Sequence, residues 1–136
     1  MPIVSNPNED LLMRVFDAFS RGDRDGTAAF FAEDAVFRYP GPGPLHGEYR
    51  GRGEILRFWA EQDRCSGGEF RPELLDLVAG DRNVYLLVRI AARDGTGAWM
   101  RVVVYEIQDE LIAGARVFEE DPASAVAFFS KDSTGA

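Results

Sequence analysis

The chain has 136 residues, 46% of them hydrophobic and 28% charged, a composition that describes one folded domain and excludes a disordered segment. Its formal net charge of −8 argues against a generic nucleic-acid or anionic-membrane surface, because phosphates must be met by clustered Lys and Arg, and leaves open a local basic patch where Arg50, Arg52 and Arg57 gather. The one cysteine, Cys65, excludes an intrachain disulfide and any multi-thiolate metal site.

The opening MPIVSNPNEDLL lacks a basic stretch followed by an apolar core, so no secretory signal is expected. No apolar run reaches membrane-spanning length. A cytoplasmic single domain over residues 1–136 is therefore the expectation, with 1–6 and 131–136 frayed. Asn6 can cap a first helix, with Pro7 at its first position and Glu9 three residues on. Leu11, Leu12, Val15, Phe16 and Phe19 recur at helical spacing, which leaves Asp17 off the apolar stripe and exposed. Gly22 is the expected left-handed stop. A short second helix from Asp23 or Asp25 should bury Ala28, Phe30 and Phe31.

Ala35 to Tyr39 reads as the first strand, ended by Pro40. Residues 40–53 hold three prolines and five glycines, which predicts a turning loop. Glu54 to Arg64 reads as a helix with Ile55, Phe58 and Trp59 on one side, and Cys65 as part of an exposed turn. Three strand-like stretches follow, Glu69–Val78, Asn83–Arg93 and Ala98–Gln108, with a hairpin turn at Asp94–Gly97. A turn at Asp109-Glu110 leads to Leu111–Glu119, and Asp121-Pro122 opens a short last helix carrying Val126, Phe128 and Phe129. Helices followed by a run of strands make an α+β class. Neither face of Ala98–Gln108 is polar throughout, so one face should enclose a cavity and the other either meet a second subunit in a homodimer or be thinly covered by the chain's own loops.

The helix ending SRGDRDG, then FFAEDAVF before Pro40-Gly41, then GEYRGRGEILRFW and VYEIQDELIAGARVFEED, resemble in order and spacing the SnoaL-like, ketosteroid-isomerase-like family of the nuclear-transport-factor-2-like superfamily. The resemblance runs from about Leu11 to Phe129. It implies a cone, a curved mixed or antiparallel sheet wrapped around N-terminal helices, holding a small, largely apolar organic molecule. The fold alone does not select a reaction.

The family's catalytic sets do not carry over. Ketosteroid isomerases place an aspartate base beside the strand-ending proline, where this chain has Arg38-Tyr39. Their oxyanion hole falls at Val15 and Val103, which have no donors. The last-strand aspartate of limonene-type epoxide hydrolases falls at Val117, and the acid–base aspartate of polyketide cyclases again at Val103.

The candidate catalytic residues are therefore His46, Tyr39, Arg38 and Arg101. His46 titrates near neutrality and lies in the loop over the cone mouth. Strand alternation sends only one of Arg38 and Tyr39 inward. Arg101, between Trp99 and Val103, could bind a carboxylate or polarise a carbonyl, or else pair with Glu73 or Glu106 across the sheet. The candidate lining is Phe16, Phe19, Phe37, Tyr49, Trp59, Trp99, Val103, Tyr105 and Val117, with Tyr49 a lid or a loop anchor. No cofactor or metal is implied. Two readings stand, a proton-transfer enzyme (isomerase, cyclase or dehydratase) and a non-catalytic ligand-binding or dimerisation module. Epoxide-hydrolase-like activity is a further alternative.

Overall fold

A computed structural model describes residues 6–91 and 99–131. Helix α1, Pro7–Ser20, starts where the Asn6 side chain accepts from the backbone N–H groups of Asn8 and Glu9. It ends at Gly22, whose φ of +79° lets the chain turn back at no steric cost. Helix α2, Arg24–Ala28, is capped by Asp23, which accepts from the Gly26 N–H. Strand β1 runs Phe31–Tyr39 and so begins four residues before the expected Ala35. The loop expected over 40–53 is only partly irregular. Gly47–Arg50 forms a short edge strand, β2, antiparallel to β1, and helix α3 begins at Gly51 and runs to Cys65. Gly51 has φ +82°, and a Cβ there would stand 3.3 Å from the Glu33 carbonyl oxygen.

Helix α3 buries Ile55, Phe58, Trp59, Gln62 and Cys65, one stripe at helical spacing. Cys65 is thus the buried end of that stripe and does not belong to an exposed turn; the apolar contact keeps the helix going for one more residue. Strands β3 (Arg71–Ala79), β4 (Asn83–Ala91), β5 (Trp99–Gln108) and β6 (Leu111–Glu119) are consecutive antiparallel partners. The predicted turn at Asp94–Gly97 lies outside the described residues. Helix α4, Pro122–Phe128, is capped by Asp121.

Among the described residues the sheet has six strands in the order β2-β1-β6-β5-β4-β3, with β1 and β6 parallel and the other pairs antiparallel. It is a curved, unclosed mixed sheet wrapped around α1 and α3, an α+β cone. No helix among the described residues is long and apolar enough to cross a membrane.

One irregularity sets the chemistry of the interior. The β5–β6 hairpin starts with Gln108 opposite Leu111 and Ile107 opposite Ile112, then shifts so that Glu106 faces Gly114. Ala113 is the extra residue of this bulge. Without it, Phe118 would lie opposite Arg101; with it, Glu119 does. A one-residue slip exchanges the faces of every later side chain.

The tight turn itself carries strain. Asp109 and Glu110 have φ of +53° and +66°, the pair of positive values that a two-residue hairpin turn favours and that glycine adopts freely. The left-handed conformation costs a residue with a Cβ about 1–2 kcal/mol, and glycine's own freedom offsets about half of that. Glu110→Gly should therefore stabilise the protein by ~0.5–1 kcal/mol and raise the melting temperature by a few degrees in thermal unfolding. An unchanged or lower melting temperature would show that the turn is not strained.

Candidate functional site

Side chains of the concave face follow from strand alternation and register. On β5 the inward positions are Trp99, Arg101, Val103 and Tyr105. Across β6, Glu119 stands opposite Arg101, Val117 opposite Val103 and Ala115 opposite Tyr105. Across β4, Val88 and Leu86 complete the rows. Arg101 is 4% exposed in an otherwise apolar surface, and a lone buried guanidinium would be very costly.

The protein meets that charge with a network that fills every acceptor position of one carboxylate. Arg101 Nε donates to Glu119 Oε1 at 2.9 Å and its Nη2 to Oε2 at 2.7 Å, a bidentate pair. Trp99 Nε1 donates to Oε1 at 3.0 Å, and the Tyr39 hydroxyl donates to Oε2 at 2.7 Å. Each carboxylate oxygen therefore accepts two hydrogen bonds, which fills its capacity. Arg101 Nη1 donates to Gln62 Oε1 at 2.8 Å. The guanidinium carbon lies 5.3–5.9 Å from the ring centres of Phe70, Phe129 and Tyr39, a shell of aromatic faces that favours a cation.

Protonation follows from this packing. Burial alone would raise the Glu119 carboxyl, but the hydrogen bonds and charge of Arg101, with Trp99 and Tyr39, hold it below its ordinary range. It is a fixed carboxylate. Tyr39 is driven well above the usual phenol value by burial and by the Glu119 charge, so it stays a donor. Burial pushes Tyr105 up to about 12, with Arg101 acting in the opposite sense. Burial also raises the Cys65 thiol against the pull of Arg64, which keeps it a poor nucleophile. Among the described residues no cluster of three or more His, Cys, Asp and Glu side chains could hold a metal ion.

Beside the network lies a cavity walled by α1, α3 and the sheet. The space open to the centre of a water-sized sphere is ≈ 50 Å³, several times the ~10–15 Å³ that one water needs and about a third of the ~150 Å³ cavity that takes a benzene, so an aromatic body enters only as lining side chains give way. Seven of the expected lining residues border it: Phe16, Phe19, Phe37, Trp59, Val103, Tyr105 and Val117. Arg101 and Gln62 are its strongest polar groups. Arg101 can only donate, so Gln62 must turn its oxygen to it, and the Gln62 amide nitrogen has no hydrogen-bond partner among the described residues. No fully enclosed polar side-chain atom lacks a partner among the described residues, so that nitrogen is not fully enclosed, and Gln62 is one of the residues that line the cavity. Arg101 also keeps two of its five N–H groups uncommitted. An apolar cavity is thus lined by two residues with spare donors, Arg101 and Gln62, together with the hydroxyl-bearing Thr27 and Tyr105.

The other expected site residues lie elsewhere. Tyr39 faces inward but behind the network, and Arg38 faces outward, paired with Glu48 at 3.1 Å. His46 is exposed, with Nδ1 3.1 Å from the Gly41 carbonyl oxygen. Tyr49 is buried against Phe58 and donates to the Leu45 carbonyl oxygen at 2.8 Å, anchoring the Pro/Gly loop. Trp99 packs on Phe128 and Phe129 away from the cavity. Arg101 pairs with neither Glu73 nor Glu106; Glu73 faces Arg89 across the sheet at 3.7 Å. Sequence reasoning missed Glu119 and Gln62. Gln62 stands three and four residues after Trp59 and Phe58 on the buried stripe, and Glu119 stands two after the inward Val117; both periodicities were visible.

Comparison with known proteins agrees with this architecture. A family model for the SnoaL-like domain matches residues 12–115. No curated protein matches the sequence. Among solved structures, Bal32a from a soil-derived mobile gene cassette superposes with a TM-score of 0.81 at 24% identity, over 90% of this chain and 96% of that one. TerC co-crystallised with polyporic acid gives 0.78 at 17% identity, over 93% and 100%. A putative ketosteroid isomerase from Kribbella flavida gives 0.69 at 22%, over 85% and 78%. Identities this low speak for the fold.

The buried pair makes a stability prediction. Removing one partner strands the other charge, so Glu119→Leu or Arg101→Met alone should cost ~3–5 kcal/mol, and the double variant should recover most of that loss. Because the folded carboxyl titrates below its ordinary value of 4.5, its contribution is complete above that pH and fades as pH falls through the lower folded value. Urea unfolding across acid pH should show that limb in the wild type and a weaker one in the double variant. Additive losses in the double variant would refute the coupling.

Proposed function

The chain belongs to the SnoaL-like family, and from that premise we propose that its cone binds a small, largely apolar organic molecule whose carbonyl or carboxylate oxygen is held by Arg101 and Gln62. One observation carries the reading: Arg101 and Gln62, each with uncommitted donors, line a cavity whose other walls are mostly Phe, Trp, Val and Leu. Such a site rewards an acceptor oxygen on an apolar body and penalises a hydrocarbon that leaves the donors unpaired. The co-crystallisation of the similarly folded TerC with polyporic acid supports a small molecule as the occupant.

The reading is one of binding ahead of catalysis. A proton-transfer enzyme needs a base within reach of its substrate. The nearest carboxylate, Glu119, already accepts four hydrogen bonds, and His46 does not border the cavity. The chemistry this arrangement could add is polarisation of a bound carbonyl by a fixed positive charge.

Matched probes test the proposal. 1-Indanone should raise the melting temperature and bind in calorimetry more tightly than indane, by roughly tenfold for one added hydrogen bond to a charged donor. Gln62→Leu and the double variant Arg101→Met/Glu119→Leu should erase that preference, and Val103→Trp should abolish binding of both. Equal affinity for the two probes, or no binding by either, would overturn it.

We also propose that a second copy covers the convex face of the sheet. That face exposes Val78, Tyr85 and Phe118 at 58%, 44% and 47%. They extend two apolar rows, Val78–Tyr85–Val104 and Leu87–Val102–Phe118, across neighbouring strands. Sedimentation should find a dimer that Phe118→Asp converts to a monomer; a monomeric wild type would refute this face as an interface.

A further inference from the structure

We infer that the ligand also carries an anionic group, which a basic collar beside the cavity receives; this rests on the binding reading above and adds the ligand's charge to it. A groove of ≈ 520 Å³ lies against the cavity, and the two spaces share Phe19, Phe70 and Pro72 as walls. Three arginines, Arg21, Arg24 and Arg71, border this groove, with Asp63 as its one carboxylate among the described residues. In a chain with 23 acidic and 15 basic residues, such a local excess of positive charge runs against the overall balance.

Two of the guanidinium groups, those of Arg24 and Arg71, are held in place with donors to spare, and Arg21 is exposed. Arg24 lies 3.8 Å over the centre of the Phe19 ring and donates to the Phe19 carbonyl oxygen at 2.7 Å. Its contact with Asp63 is long, at 3.4 Å. Arg71 Nη1 donates to the carbonyl oxygens of Phe70 and Gly68 at 2.7 and 3.2 Å, leaving Nε and Nη2 uncommitted, and it makes no ion pair among the described residues. Among the described residues Arg21 pairs only with Asp17, at 3.4 Å and with both side chains mostly in water, so solvent weakens that competition. Phe19 links the two spaces, since its ring lines the cavity while its carbonyl and ring face fix Arg24.

These features fit a molecule with its apolar body in the cavity, an acceptor oxygen at Arg101 and Gln62, and a carboxylate on a short tether in the groove. The positive field of the collar would also draw such an anion toward a protein that otherwise repels it.

The test compares 5-oxo-5-phenylpentanoate, a ketone with a tethered carboxylate, with its uncharged primary amide. Titration calorimetry at low salt should show the acid binding about tenfold tighter than the amide. In Arg21→Gln/Arg71→Gln the two should come within about twofold, and in the wild type added salt should shrink the difference. In Gln62→Leu both probes should weaken together with the acid preference kept. An acid preference that survives in the double arginine variant, or equal binding of acid and amide with both lost in Val103→Trp, would overturn the collar and leave the cavity reading intact. Acid binding that ignores Val103→Trp would overturn the cavity reading and leave the collar. No binding of either probe would count against both.

Discussion

The interior of this protein is organised around the buried ion pair of Arg101 and Glu119. Taking a guanidinium and a carboxylate out of water is a large penalty, and their attraction repays it only with good geometry and every remaining hydrogen-bonding site filled. Arg101 and Glu119 meet that condition on the carboxylate side, where all four acceptor positions of Glu119 are filled, through partners from four elements: Trp99 on β5, Tyr39 on β1, Gln62 on α3 and the bulged strand β6; two Arg101 N–H groups stay uncommitted. The pair therefore constrains the register of β5 against β6, the inward turn of Tyr39 and the placement of α3 over the sheet. Apolar packing of the same shape could hold these elements as firmly. What the ionic pair adds is an oriented set of donors at the edge of an apolar cavity.

That arrangement separates fold from chemistry. The chain keeps the SnoaL-like cone over most of its length, yet valines stand at 103 and 117, where the resemblance to isomerases, cyclases and epoxide hydrolases would place a carboxylate. Glu119, on the same inward row two residues beyond Val117, supplies one instead. There it is consumed by structure, held ionised by Arg101 against its burial. A carboxylate so placed positions a cation, and the cation with Gln62 becomes the feature a ligand would meet. Recognition of an acceptor oxygen follows from this geometry more directly than proton transfer does.

Much of the fold was legible in the chain because local signals and tertiary demands agree. Asn6-Pro7 and Asp121-Pro122 open helices where capping chemistry says they should, and β6 has its expected bounds. Strand β2 was hidden among glycines and prolines. Its four residues pair only with β1 at an edge, and Glu48 and Arg50 on its outer side give no apolar signal. The Arg101–Glu119 contact was hidden by the bulge at Ala113, since a regular hairpin from Asp109-Glu110 would have set Phe118 opposite Arg101. Cys65 was misread because its glycine neighbours suggest a turn, while the buried face of α3 reaches one residue further. The apolar lining needed only alternation and helical spacing. The polar half of the site depended on a register shift that no local pattern announces.

The most direct test is the infrared spectrum of 1-indanone, isotopically labelled at its carbonyl carbon and bound to the protein. If Arg101 and Gln62 hold the ligand oxygen, the carbonyl stretch will fall below its position in an apolar solvent and return toward it in Gln62→Leu. A bound carbonyl that absorbs as it does in an apolar solvent would contradict the account, because the cavity would then be a dry void with no use for its donors.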